Sequence, residues 1–376
     1  MRIVILGAGP AGLYLAYLLK RRRPDADIRV IEQNPADATF GFGVVFSDRA
    51  LEFLRADDPE TYAAITPHME SWSDMTLVIK TERVVIDGIG FAAIGRLKLL
   101  QLLQERARSV GVTLEFNRVV ASLDELADAD LIVGADGVNS LVRKALTDQL
   151  GASLTYMNNR FAWFGTTKVF DTLTQTFRHT PIGDFNAHHY RYALGRSTFI
   201  VETDEESFRR AGFEKMEENE ARTRCEKIFA DALGGARLIS NNSIWRRFPQ
   251  IWNERWHHNK HVVIGDAAHT AHFSIGSGTR LAMEDAIALE RALHEAGDDI
   301  GKALPAYEAA RKPIVEKIVR GAMESASWYE NFAGHMALAP MEFSMSYIQR
   351  SGRVDIERLR KLSPKFIAQY ERAVSS

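Results

Sequence analysis

The chain has 376 residues, 46% hydrophobic and 26% charged, a composition that fits a folded globular protein and excludes disordered, fibrous and membrane-spanning classes. With 47 basic and 49 acidic side chains the formal net charge is −2, so no overall basic field exists to hold nucleic acid or an anionic membrane, and the partner to look for is a small molecule. A lone cysteine, Cys225, rules out an intramolecular disulfide and a thiolate metal cluster and fits a reducing cytoplasm.

Three glycines interrupt the apolar start of the chain and no small-residue cleavage site follows, so it reads as strand and helix rather than as a secretory leader. A buried-strand pattern over 2–6, a glycine turn, a helix to about residue 23 and a second strand over 28–32 make a βαβ unit. Asp58 before Pro59 has the form of an N-cap and first helical position, and leucines at helical spacing over 96–110 end at Gly111. Short strands follow at 113–116 and 131–134, carrying a parallel-sheet lobe to about residue 150. From about 155 to 250 the pattern turns to aromatic-rich strand segments at 161–168, 176–179, 188–194, 197–202 and 244–248, with two polar helical stretches between the last two. A short apolar strand at 261–264 and a helix over about 278–296 return the chain to the first lobe, and from residue 304 it reads as helical without low complexity. The expectation is an α/β protein with a discontinuous Rossmann-like cofactor lobe (1–154 and 255–300), a mixed-sheet substrate lobe (155–254) and a helical C-terminal region (301–376).

Gly7-Ala8-Gly9-Pro10-Ala11-Gly12 is a GxGxxG between strand and helix. Gly7 permits the tight turn, Gly9 lets a pyrophosphate approach the backbone beside Ala11, and Gly12 allows close strand–helix packing at the positive helix end. Glu32 ends the second strand 20 residues after Gly12, where a carboxylate can accept both hydroxyls of an adenosine ribose, so the dinucleotide is FAD or NAD(H) rather than NADP(H). Two later turns, Gly134-Ala135-Asp136-Gly137 and Gly265-Asp266-Ala267-Ala268-His269, each set an acid between a short strand and a helix. The run Gly276-Ser277-Gly278-Thr279 opens another helix, whose free N–H groups and positive dipole suit an anionic edge. His188 and Tyr190 alternate on one strand and so project to the same side. His269 and His272 come without a carboxylate–histidine set at ligand spacing, so no metal site is expected, and neither a Ser-His-Asp elbow nor a Walker loop occurs.

The order of these three glycine–acid motifs resembles the flavoprotein monooxygenases of the para-hydroxybenzoate hydroxylase group over nearly the whole chain. The resemblance implies an FAD-binding lobe of the glutathione-reductase type and an aromatic-ring hydroxylase. It holds FAD non-covalently, takes NADH or NADPH as a transient co-substrate, and passes oxygen from O2 to the ring through a flavin C4a-hydroperoxide. By that resemblance Asp136 lies near the pyrophosphate, Asp266 binds the ribityl chain and Arg96 approaches the phosphates. The Gly41 to Ser47 loop with Gly43 and Val44 lies beside the isoalloxazine, and Gly276, Gly278 and Thr279 face its N1–C2=O edge. The nearer relatives within the group, the aryl-CoA hydroxylases, also keep a His and a Tyr matching His188 and Tyr190, which implies that they orient the substrate.

Blocks such as Thr39-Phe40-Gly41-Phe42-Gly43, Trp163-Phe164-Gly165-Thr166-Thr167 and His272-Phe273-Ser274-Ile275-Gly276 narrow the resemblance to the monooxygenase part of salicylyl-CoA 5-hydroxylase and 2-aminobenzoyl-CoA monooxygenase. The implied partner is a small aromatic molecule, an aryl-CoA thioester such as salicylyl-CoA, acted on by a monomer or homodimer without nucleic acid or membrane. Other rings, including 2-aminobenzoyl-CoA, 4-hydroxybenzoyl-CoA and a tryptophan derivative, stay open. Phe273 stands where the group has proline, and the reductase that follows the hydroxylase in two-domain relatives is missing from this sequence, so coupled ring reduction is not expected of it. Two other readings remain. A pyridine-nucleotide dehydrogenase leaves the Gly265-Asp266 turn unexplained, and a non-catalytic flavin-binding redox subunit would show no substrate-stimulated NAD(P)H oxidation.

Overall fold

The computed structural model describes residues 1–47 and 51–375; residues 48–50 and Ser376, the last residue of the expected helical region, lie outside the described residues. A six-stranded sheet runs in the order His257–His258, His261–Val263, Leu131–Gly134, Arg2–Leu6, Asp27–Ile31, Thr113–Glu115, parallel throughout except for the first pair. From Arg2–Leu6 the chain moves to Asp27–Ile31 on one side, and Leu131–Gly134 flanks it on the other, so the turns leaving these strands diverge and open a crevice at their carboxyl ends. Helix Pro10–Arg22, buried from Ala11 through Leu19, packs between this sheet and helices Arg96–Ser109 and Gly278–Glu295.

The second sheet orders Leu238–Ile239, Ala152–Thr166, Arg196–Thr203, Gly183–Ala193, Leu173–Thr180, Met75–Ile79 and Glu82–Ile86, with Arg246–Asn253 also paired to Ala152–Thr166. Only the Leu173–Thr180 and Met75–Ile79 pair is parallel, which makes the sheet mixed. Several boundaries differ from the sequence expectation: the strand expected at 161–168 begins at Ala152 and the one expected at 188–194 begins at Gly183, and two further cases bear on the lobes. Met75–Ile79 and Glu82–Ile86 come from within the segment assigned to the cofactor lobe yet complete the second sheet, and the strand expected at 244–248 runs instead over Arg246–Asn253. The two cases have different causes. A strand that carries Pro249 and pairs along its length on one side, with a single bridge from Trp252 to His269 on the other, has a weak alternating signature, and short strands between helices are claimed by no local pattern.

A three-stranded sheet, Gly43–Ser47, Phe91–Gly95 and Glu70–Trp72, bridges the two lobes. The C-terminal region is helical as far as it is described, from Ile300–Glu330 through Pro340–Gln349 and Ile356–Leu362 to Pro364–Ser375, and its aromatic side chains pack on the second sheet around Phe177. No helix among the described residues is long and apolar enough to cross a membrane.

Candidate active site

The crevice widens into one cavity of about 1220 Å³, larger than the roughly 300–1,000 Å³ of a pocket for one drug-sized ligand. Gly9, Pro10 and Ala11 border it, as do Gly43, Val44, Arg96, Gly137, Asp266, Gly276, Gly278 and Thr279, and at its far end His188 and Tyr190.

At the first turn, Gly7 has φ +100°, and a Cβ there would lie 2.4 Å from the Ala135 carbonyl oxygen; one at Gly12 would lie 2.1 Å from the Gly7 carbonyl. The first and second motifs therefore touch through glycine. A Cβ at Gly9 would meet nothing, so the backbone there faces open space. The Glu32 carboxylate accepts the Ala8 N–H at 2.9 Å and the Asn34 N–H and amide at 2.9 and 2.7 Å, which fixes it at the tip of its strand.

Asp136 stands behind its turn, not in the cavity. It accepts the Leu141 N–H at 2.6 Å, and its second carboxylate oxygen is buried without a hydrogen bond among the described residues. The cavity is bordered instead by its neighbours Ala135 and Gly137 to Asn139. Buried Arg143 donates to the carbonyls of Gly137, Val138 and Ala267, clamping the second motif to the third. Asp266 faces the cavity and is exposed to it, although the surrounding protein keeps it from bulk water. Removal from bulk water pushes its pKa up, against the positive pull of Arg96 and the nearby His269. Burial pulls Arg96 down, opposed by Asp266 and Glu32; its guanidinium donates to Thr39 at 2.7 Å and its backbone N–H to Phe42.

Behind Asp266 lies a network that the sequence reading did not single out. Asp285, fully buried on helix Gly278–Glu295, accepts from the Gly265 N–H (3.0 Å), pairs with His269 Nε2 (2.7 Å) and pairs with Arg311 (2.7 Å). Its burial would raise the pKa, but His269 and Arg311 outweigh that and hold it below the usual carboxylate range. His269, a candidate metal ligand by type alone, is thus spent on fixing the turn.

On Gly183–Ala193, His188 and Tyr190 share the cavity face, while Ala187 and His189 face the opposite core, where His189 stacks on Phe199. Gln175 Oε1 takes the Asn186 amide at 3.4 Å, so Gln175 Nε2 donates to His188 Nδ1 (2.8 Å) and His188 Nε2–H donates to Glu202 (3.2 Å). Burial lowers the His188 pKa against the pull of Glu202, which keeps the ring neutral. Glu202 also accepts from Asn159 at 2.9 Å; burial would raise its pKa, and His188, His272 and Asn159 together hold it below its usual range. The imidazole is wedged against Tyr329 and Phe273, at centroid distances of 4.9 and 5.3 Å, so only its ring face and edge are left for a ligand. Phe273, at the group's proline position, also packs on Phe161 (4.9 Å) and helps form an aromatic wall.

Tyr190 turns out to serve the loop on the cofactor side. Its hydroxyl donates to the Gly43 carbonyl at 2.8 Å, and Thr198 Oγ1 accepts the Gly43 N–H at 2.9 Å. A Cβ at Gly43 would lie 2.5 Å from Tyr192, and one at Gly41 2.6 Å from Trp163, so these glycines let the loop lie flat on the second sheet. Arg350, also missed, donates to the Ser274 carbonyl at 2.9 Å and stacks over Tyr347 at 3.9 Å, tying the C-terminal helices to the 273–279 turn.

A dinucleotide fits what these residues leave open: a glycine turn with unfilled space above it, a fixed carboxylate at Glu32, and an acid and an arginine facing the same cavity. Comparison with known proteins decides the family. An FAD binding domain matches residues 124–322, and an NAD(P)-binding Rossmann-like domain matches residues 5–38. Salicyloyl-CoA 5-hydroxylase of Streptomyces sp. is 43% identical over 93% of this chain and 70% of its own length. The 3-hydroxy-4-methyl-anthranilyl-[aryl-carrier protein] 5-monooxygenase of Streptosporangium sibiricum is 36% identical over 88% of this chain and 89% of its own. The chain belongs to the FAD-dependent aromatic monooxygenases. Among solved structures this monooxygenase shares its fold with Pseudomonas aeruginosa PqsL in complex with 2-aminobenzoylacetate, at TM-score 0.70 and 21% identity over 89% of this chain and 98% of that one. The family uses FAD, NAD(P)H and O2.

Proposed function

We propose that this monooxygenase hydroxylates an activated aromatic ring carried as an aryl-CoA thioester, with salicylyl-CoA the first candidate and 5-hydroxylation the expected outcome. The observation that carries the reading is the single cavity that joins the dinucleotide turns to an aromatic-walled end at His188, Phe161 and Phe273. The relatives support the carrier, since one acts on a salicyloyl group on CoA and the other on an anthranilyl group on an aryl-carrier protein. 2-Aminobenzoyl-CoA is the second candidate.

In this reading Gly7, Gly9, Ala11 and Gly12 receive the FAD pyrophosphate, Glu32 the adenosine ribose and Asp266 the ribityl hydroxyls. Arg96 and the helix end at Gly276, Gly278 and Thr279 supply positive potential, Gly43 and Val44 flank the ring system, and Asp136 holds its turn in place through Leu141. Bound FAD supplies hydride acceptance from NADH or NADPH and activation of O2. The chain contributes position and dryness: the neutral His188, locked by Gln175 and Glu202, presents a fixed face to the substrate ring, and Tyr190 fixes the Gly43 strand against that end.

The test is NADH oxidation by FAD-loaded enzyme with salicylyl-CoA, 2-aminobenzoyl-CoA and the matching free acids, with products read by mass spectrometry. Stimulated oxidation and a thioester heavier by one oxygen are expected. Turnover confined to free acids would refute the thioester assignment, and no stimulation by any aromatic would refute the hydroxylase role.

A further inference from the structure

The charge on the cavity wall is lopsided. Seven arginines border it, Arg96, Arg246, Arg247, Arg280, Arg350, Arg353 and Arg358, and Asp266 is the one carboxylate among the described lining residues, in a chain whose net charge is −2. Arg96 belongs to the dinucleotide side, Arg247 donates to the Met157 and Tyr156 carbonyls, and Arg350 is taken up by Ser274 and Tyr347. Three of the others, from two separate segments, meet at one end.

Arg280 lies in the first turn of helix Gly278–Glu295, paired to Glu284 at 2.7 Å; Glu284 also contacts Arg311 at 2.8 Å, which pairs in turn with Asp285. Arg353 lies close enough to Arg280 for the two to repel, with Glu324 as a partial counter-charge, and its guanidinium donates to the Ile318 carbonyl at 3.2 Å. It sits in a notch left by Gly321, where a Cβ would come within 2.6 Å of its Nε. Arg358 donates to the Arg353 carbonyl at 3.3 Å, and both side chains are exposed. The intervening wall is continuous: Tyr347, Ile348, Arg350, Ser351, Arg353 and Val354 all line the cavity, starting at the Tyr347 that packs on Tyr329 beside His188. Under-compensated guanidiniums held together at a rim favour a multivalent anion, because an ion shared between them relieves their repulsion and gains charge-assisted hydrogen bonds.

Resting on the thioester reading above, we propose that Arg280, Arg353 and Arg358 form a phosphate-binding rim that holds the phosphorylated pantetheine carrier while the aryl group reaches inward to His188. Phosphate recognition there serves either of two sources, the thioester carrier or the visiting nicotinamide dinucleotide, and the position on the wall leading to the ring pocket assigns it to the carrier.

The experiment compares FAD-loaded wild type with Arg353→Ala, Arg358→Ala and Arg280→Gln, each with salicylyl-CoA, with phosphate-free salicylyl-pantetheine and with varied NADH. Binding of free CoA is followed by calorimetry on the same proteins. We expect each variant to raise KM for salicylyl-CoA about tenfold, the equivalent of one lost charge-assisted contact, while kcat, the KM for salicylyl-pantetheine and the KM for NADH stay within twofold; CoA binding should weaken in parallel and with added salt. An unchanged KM for salicylyl-CoA, an equal rise for the phosphate-free thioester, or a rise confined to NADH would overturn the assignment. If wild type turns over no aryl thioester, the functional reading falls and the rim assignment falls with it; if it turns thioesters over and the variants are indifferent, the rim assignment alone is wrong. Arg353→Lys, which keeps the charge in the Gly321 notch, should recover most of the lost affinity.

Discussion

Removing the buried carboxylate of Asp285 tests whether the turn bearing Asp266 is held from behind. Asp285→Ala deletes three contacts at 2.7–3.0 Å, to Gly265, His269 and Arg311, at a fully buried position. Breaking a buried ion pair from one side costs about 3–5 kcal/mol, and because Arg311 keeps Glu284 at 2.8 Å and the Leu281 carbonyl at 3.2 Å, the lower end applies here. About 3 kcal/mol is a large share of the roughly 5–15 kcal/mol that holds a typical fold, and in a chain of 376 residues it lowers Tm by roughly 4 °C. Loss of the Asp285 anchor on the Gly265 N–H loosens the turn that carries Asp266, and giving up one hydrogen bond's worth of that positioning, about 0.5–1.5 kcal/mol, should weaken the FAD Kd roughly two- to tenfold. Thermal unfolding of apoprotein and fluorescence titration with FAD read the two effects separately. Asp285→Asn retains an oxygen for Gly265 but turns an amide donor toward Arg311, so it should lower Tm while leaving FAD affinity near wild type. The sign with pH follows from the depressed pKa: the contribution is present above the unfolded value near 3.8 and disappears as pH falls through the lower folded value, so the wild-type advantage over Asp285→Ala should shrink below about pH 4. Wild-type Tm and FAD affinity in Asp285→Ala would refute the account.

Asp266→Ala should reduce flavin content, since ribityl hydroxyls would lose an acceptor at about 1–3 kcal/mol; full occupancy at unchanged affinity would count against its role. His188→Ala should keep FAD and oxidise NAD(P)H but release more H2O2 per nicotinamide, because a ring misplaced by about 1 Å can slow transfer on the order of 100-fold; wild-type coupling would make it packing only. Tyr190→Phe should instead weaken FAD binding a few-fold by freeing the Gly43 carbonyl, an effect absent from His188→Ala and read by the same fluorescence titration. His272 is buried and burial drops its pKa to about 4, so the unfolded chain binds its proton first and stability should climb with pH between about 4 and 6.5. Its share is up to roughly 3 kcal/mol, and His272→Gln should flatten that part of the Tm profile.

The glycine turns and their acids were legible along the chain because each is a local device: the spacing of Gly7, Gly9, Gly12 and Glu32 states a strand, a turn and a carboxylate within one βαβ unit. The alternation of His188 and Tyr190 likewise gave a shared face, since strand side chains repeat every second residue. What each of these two does depended on partners far away in sequence. Gly43 lies 147 positions before Tyr190 and turns it toward the loop, while Glu202 and Gln175 occupy both nitrogens of His188. Asp136 has the sequence of a ligand contact and the position of a turn support, a difference set by which way its carboxylate folds onto Leu141. Asp285 and Arg311 carried no motif, and neither did the meeting of Arg280 with Arg353. Helix periodicity marks a buried face but does not say which charge on the next helix will balance the one it buries, because electrostatic pairing is decided by distance in space, and only the packed structure sets that distance.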